Sequence, residues 1–163
     1  MRRAQIILPA GQWKLRRECG TVTLDWDGRH RRRIALQSDQ GEEFLLDLPS
    51  AARLAQADGL ELEDGGVIRV IAADEPVLEI RAGRTSLARL AYHLGNRHLP
   101  AEIGAEYLVI RADPVIEDMV RGLGGDARAV NRPFTPEAGA YDGPHGAEPN
   151  RHHHGHHHDH DHH

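Results

Sequence analysis

The chain has 163 residues, enough for one ordinary core or two small ones, and its 39% hydrophobic content is globular in type. Aromatic residues make up only 4%, which argues against stacking platforms for bases or sugars, and no apolar run approaches the roughly 20 residues of a membrane-spanning helix. Formal net charge is -5 with histidine neutral, yet residues 1–33 carry nine Lys and Arg against three Asp and Glu. A lone Cys19 leaves no intrachain disulfide framework and agrees with a reducing compartment, and the apolar stretch near the N-terminus is too short for a signal peptide. A cytoplasmic protein with neither a membrane nor a nucleic-acid partner is expected.

Up to Ala73 the pattern is that of short strands with turn punctuation. Residues 5–8 form an apolar strand broken by Pro9 and Gly11. Residues 21–26 alternate, with Val22, Leu24 and Trp26 on one side, and Asp27-Gly28 is a hairpin signal leading to a return strand at 33–36. The basic run 29–33 (RHRRR) reads as a solvated strand edge or turn, an acidic protein partner being the next reading. His30 reads as a surface residue, and Cys19 as a small buried or inert one. Residues 44–48 form another strand, residues 48–59 (LPSAARLAQADG) read as a short helix capped by Ser50 and stopped by Gly59, and Gly65-Gly66 leads into a strand at 67–72. The result is a small all-β module with no nucleophile motif and no phosphate loop.

From Glu75 onward element types alternate. A strand at 77–81 precedes a helix at 86–94, with Thr85 or Ser86 as N-cap, Leu87, Leu90, Ala91 and Leu94 on one face, and Gly95 as stop. His93 falls in the last turn of that helix and His98 just past its end. Five residues apart is not the i, i+4 spacing that sets two imidazoles side by side, so this pair is no self-sufficient chelate. Strands at 101–103 and 107–111 meet at Gly104. Asp113 then caps a second helix with Pro114 at its first position and Glu117 and Asp118 in the first turn, where the helix dipole favours negative charge. Gly124-Gly125 ends it, and 127–134 is the closing strand. The order βαββαβ predicts a ferredoxin-like module, two helices on one face of a four-stranded sheet, in a chain of α+β class. The divisions expected are 1–74, 75–142 and 143–163. The same order serves RNA-recognition modules, but the central strands here supply only Tyr107 for stacking.

Residues 143–163 combine a Pro- and Gly-rich spacer with a histidine run and are expected to be disordered without metal. About 20 such residues would span on the order of 25 Å. The imidazoles are His145, His152, His153, His154, His156, His157, His158, His160, His162 and His163, with Asp159 and Asp161 among them. Neutral imidazole suits Ni, Cu, Zn and Co, and such a donor set has room for about two ions at four to six ligands each. Interruptions at Gly155, Asp159 and Asp161 set the run apart from a purification tag. Binding should weaken in acid, because a proton competes for the ring lone pair. For His93 and His98 the plain reading is a helix-end histidine near free carbonyls; the sharper one is half of a site completed across a two-fold axis, where one residue per subunit becomes a pair.

The segment YHLGNRHLP (92–100) with its GNRH, the helix DPVIEDMVRGLG (113–124), PFTPEAGAY (133–141) and the terminal histidine run together resemble the UreE family of urease accessory proteins, nickel metallochaperones. The resemblance implies no enzymatic activity, a homodimer joined through the ferredoxin-like domains, and one Ni(II) bound by His98 of both subunits. It also implies an N-terminal domain of peptide-binding type and delivery of nickel to the urease accessory GTPase and the urease assembly complex. Some members carry further histidines before the second helix; this chain has none from 99 to 144, so the tail must supply the remaining ligands, with His93 as a second candidate. Zn(II) and Cu(II) are alternative ions in vitro, Cu(II) binding more tightly at any bare His/Asp site. A metal-storage protein without a dedicated recipient is the alternative function, an RNA-binding module a more distant one.

Overall fold

Period-two alternation sorts the side chains of residues 1–72 onto two faces. In the computed structural model, which describes residues 1–138, they form a six-stranded sheet. Its strands are β1 (Arg2–Leu8), β2 (Glu18–Leu24), β3 (His30–Gln37), β4 (Glu43–Arg53), β5 (Gly59–Leu62) and β6 (Val67–Ala72), in the order β2-β6-β5-β1-β4-β3. β1 with β4 and β2 with β6 run parallel; the other neighbours are antiparallel. Val22, Phe44, Leu46, Leu60, Ile68 and Val70 lie in one buried cluster. The outer edge of β2 is sealed by the turn after β3: the Asp39 carboxylate accepts from both Thr21 and Thr23 hydroxyls, and Gln40 Oε1 accepts the Thr21 amide at 2.9 Å.

Four readings of this region are corrected. Residues 48–59 hold no helix: β4 continues through Pro49 and Ser50 to Arg53, whose register pairs it with His30. Cross-strand pairing and burial of Leu48 and Leu54 outweigh the local helix propensity of the Ala-rich stretch. Asp58, whose carboxylate accepts the Ala10 and Ala55 amides, fixes the following turn, and Gly59 opens β5 rather than stopping a helix. Asp27-Gly28 makes no hairpin, since β2 and β3 lie at opposite ends of the sheet; its turn is closed by the Gly28 amide on Asp25 Oδ1 and the Arg29 amide on Asp25 O. Arg29 is not at a solvated edge but 2% exposed, donating to the Phe134 carbonyl. Cys19 is exposed rather than buried.

The second sheet holds β7 (Asp74–Arg81), β8 (Glu102–Ile103), β9 (Leu108–Arg111) and β10 (Asp126–Pro133), in the order β10-β7-β9-β8 with every pair antiparallel. Two helices, α1 (Leu87–Asn96) and α2 (Pro114–Gly122), connect β7 to β8 and β9 to β10. Their apolar stripes, Leu90 and Leu94 on one and Ile116 and Val120 on the other, share a cluster with Leu78, Ile80, Leu108 and Ile110, so both cover the same sheet face. Asp113 caps α2 through the Val115 and Ile116 amides at 2.8 and 3.2 Å. α2 closes with the Gly124 amide on Arg121 O and the Gly125 amide on Val120 O, both at 3.0 Å, and Gly124 takes φ +93°. This is a Schellman motif with glycine at its left-handed position.

The opposite face of the second sheet is closed at one end by the first. Trp26 packs edge-on to Phe134 with ring centroids 5.8 Å apart, over a cluster with Val77 and Val109. Arg53 and Arg111 both lie over the indole, their guanidinium carbons 4.3 and 4.4 Å from its centroid, and Arg111 also pairs with Asp27 at 2.7 Å. The Arg111 hydrogen bond holds the Asp27 carboxyl below its ordinary value. Burial lowers the pKa of Arg29 beside this seam, with Glu75 opposing it.

Candidate metal site

The site is built on the end of α1. Ser86 starts that helix, its hydroxyl accepting the Arg89 amide at 3.3 Å, and Leu90 and Leu94 anchor it in the core. That anchoring turns Tyr92 outward, 65% exposed, and leaves His93 half-buried with its ring edge-on to Tyr92 at 5.4 Å. Gly95 does not stop the helix, which runs on to Asn96 with Arg97 as its cap. The terminating residue is His98. Its amide reaches Gly95 O at 3.0 Å, the Leu99 amide reaches Leu94 O at 3.4 Å, and its φ is 56°.

His98 therefore occupies the left-handed position of a Schellman motif, where glycine is usual because a Cβ there crowds the backbone. An exposed non-glycine residue in that conformation points to function when its surroundings over-determine it. The imidazole sits beside the negative end of the helix dipole, which favours a cation. The sequence did contain a signal for this ending: an apolar residue at 99 to meet Leu94, and proline two residues past His98.

Within one chain the set of donors is incomplete. Among the described residues no group of three His, Cys, Asp or Glu is placed to hold a metal ion. His93 and His98 share one helix end; His145, His152, His153, His154, His156, His157, His158, His160, His162 and His163 lie outside the described residues. An ion at His98 needs donors from another copy or from the tail.

Leu99 and Pro100 separate two clefts. One, of about 240 Å³, is lined by Ala91, Leu94, Gly95, Ile103 and Leu108 and opens toward Ile103, which is 55% exposed. The other, of about 480 Å³, lies at the seam between the sheets and is lined by Trp26, Asp27, Ile110, Arg111, Asp113 and Ile116. This seam was the part of the site region that sequence reading missed, because residues 26, 29, 111 and 134 meet only through tertiary contact. The ring of Tyr107 is already flanked by Arg81 and Arg132 at 5.7 and 5.6 Å, so the sheet offers no open aromatic platform there.

An exposed helix-end histidine on an α+β scaffold, with no three-donor group among the described residues, fits a protein whose site is completed by donors from outside that helix end. Family models described as the UreE urease accessory protein N-terminal domain and C-terminal domain match residues 5–73 and 75–162. The urease accessory protein UreE of Bradyrhizobium sp. (strain ORS 278) is 52% identical over 154 residues, 94% of this chain and 70% of that protein. Its namesakes in Rhodopseudomonas palustris (strain HaA2) and Chelativorans sp. (strain BNC1) are 58% and 52% identical, over 74% and 86% of this chain and 57% and 89% of their own lengths. The chain belongs to the UreE family of urease accessory proteins.

Proposed function

We propose that this protein is a homodimeric nickel metallochaperone. His98 of two copies grips one Ni(II), the histidine-rich tail supplies further donors and buffers the ion, and the urease accessory GTPase and urease assembly complex receive it. The observation that carries this reading is the imidazole of His98, exposed in a left-handed conformation that local structure disfavours. One imidazole cannot hold an ion alone, and a two-fold axis doubles it without any other ligand from the described residues.

The surface beside His98 supports self-association. Ile103, which lines the smaller cleft, and Tyr92 on α1 are large exposed apolar groups, and β8 is an edge strand. Gly95, in the last turn of α1, has open space where a Cβ would stand. A helical glycine costs roughly 0.5–1 kcal/mol relative to alanine, and close approach of a second copy gives it a purpose. We read residues 75–142 as a ferredoxin-like domain that binds metal and dimerises, and 1–74 as a peptide-binding domain facing the partners. Transfer by exchange of one weak ligand at a time avoids a bare ion.

The test is a Ni(II) titration of the full chain and of residues 1–142, with the mass of the assembly measured alongside. One ion per dimer is expected for 1–142, more for the full chain, and none for His98→Ala in 1–142. A species that stays monomeric with nickel, or one ion per dimer persisting after His98→Ala, would sink the proposal.

A further inference from the structure

We propose that Leu99 is the positioning residue for the His98 imidazole, a role that rests on the metal reading of His98. The left-handed conformation at residue 98 has no glycine to relieve it, so something must hold it. A right-handed residue 98 would continue α1, and moving φ from 56° to about −63° would swing the Cβ and its imidazole by roughly 120° about the N–Cα bond. Of the two backbone hydrogen bonds of the motif, the His98 amide on Gly95 O at 3.0 Å spans three residues and can equally close a right-handed last turn, and the Leu99 amide lies a long 3.4 Å from Leu94 O. The side chain of Leu99 does discriminate: half-buried, it packs against the cluster that contains Leu94, the residue it must meet when the chain reverses at 98.

The end of α2 is an internal control. There glycine sits at the left-handed position and the next residue, Gly125, has no side chain at all. Where the turn is intrinsically easy the fold needs no apolar clasp; where histidine replaces glycine the clasp is present. Pro100 strengthens it by restricting Leu99 to extended conformations. Leu99 also walls both clefts, so its position is defined on two sides.

The experiment uses the full-length chain with its tail histidines changed to asparagine, so that Ni(II) affinity reports on residue 98. Calorimetry well below the melting temperature gives the Kd, and NMR couplings give φ at residue 98. Leu99→Ala is expected to weaken Ni(II) binding about tenfold or more, as loss of a ligand's supporting contact typically does, with φ of His98 leaving the left-handed region in a fraction of molecules. Leu99→Met, which conserves volume, restores both. Should Leu99→Ala not fold, Leu99→Val carries the same comparison. A merely structural contact would lower the melting temperature and leave the Kd of folded protein unchanged, which overturns the proposal. His98→Asn separates the two layers. Unchanged affinity in His98→Asn means the metal reading itself fails, whereas loss of affinity there with parental binding in the Leu99 variants removes only the role of Leu99.

Discussion

The two helices of this molecule end in the same hydrogen-bond pattern with opposite chemistry at the critical residue. α2 places Gly124 at the left-handed position and continues directly into β10; α1 places His98 there, exposed, and follows it with Leu99 and Pro100. The α2 ending carries no left-handed penalty, because glycine has no Cβ to crowd the backbone. In α1 an intrinsically unfavourable residue is retained at a cost of about 1–2 kcal/mol. The difference teaches that the same reversal can be built with glycine or, at a local cost, with an exposed histidine; on the metal reading that cost is retained for the imidazole it projects from a rigid helix end.

Exchanging the two residues tests that contrast, beginning with the larger effect. Gly124→His imposes the left-handed penalty on α2, and a Cβ at 124 would stand 3.3 Å from the Arg84 Cβ, tighter than ordinary packing. A loss of about 1–2 kcal/mol is expected in chemical denaturation, with Ni(II) binding at His98 retained. The reverse change, His98→Gly, relieves the same strain but adds backbone entropy to the unfolded chain, worth about 0.5–1 kcal/mol. A net gain of about 0.5–1 kcal/mol is expected, raising Tm by roughly 2 °C, together with loss of the metal site. Stabilisation without loss of metal, or destabilisation, would break the reading of α1 as strained for function.

The smallest effect concerns the seam beside the larger cleft. The hydrogen bond from Arg111, aided by the charges of Arg53 and Arg31, keeps the Asp27 carboxyl below its ordinary 3.8. A depressed folded-state pKa contributes stability that is present above the unfolded value and lost as pH falls through the folded one. Melting temperatures of the parent should therefore fall more steeply below about pH 4 than those of Asp27→Asn, with little difference near neutrality because the pair is exposed. Parallel curves would show that this ion pair does not join the two sheets.

Legibility followed the range of the interactions. Ser86 and Asp113 as caps, Pro114 at the first helical position and the apolar stripes of α1 and α2 act within one or two turns, and each stands where the sequence indicates. The strand Val67–Ala72 was equally plain. The 48–59 stretch and Asp27-Gly28 misled because their local signals compete with distant partners: β4 against β3 for one, and the parallel ladder of β2 on β6 for the other. His98 was identified as a candidate from its place after the helix, but its backbone conformation was hidden by the nearer Gly95.

By itself, then, the amino-acid order determined which segments were helices from Ser86 onward, where the donors are concentrated, and the family to which the chain belongs. Only tertiary packing decided the order of strands in the first sheet, the burial of Arg29 against Phe134, and the residue at which α1 ends. Packing of Leu94 and the half-buried Leu99 against one core carries the helix past a glycine that could have stopped it, and the chain reverses instead at His98, whose side chain is exposed.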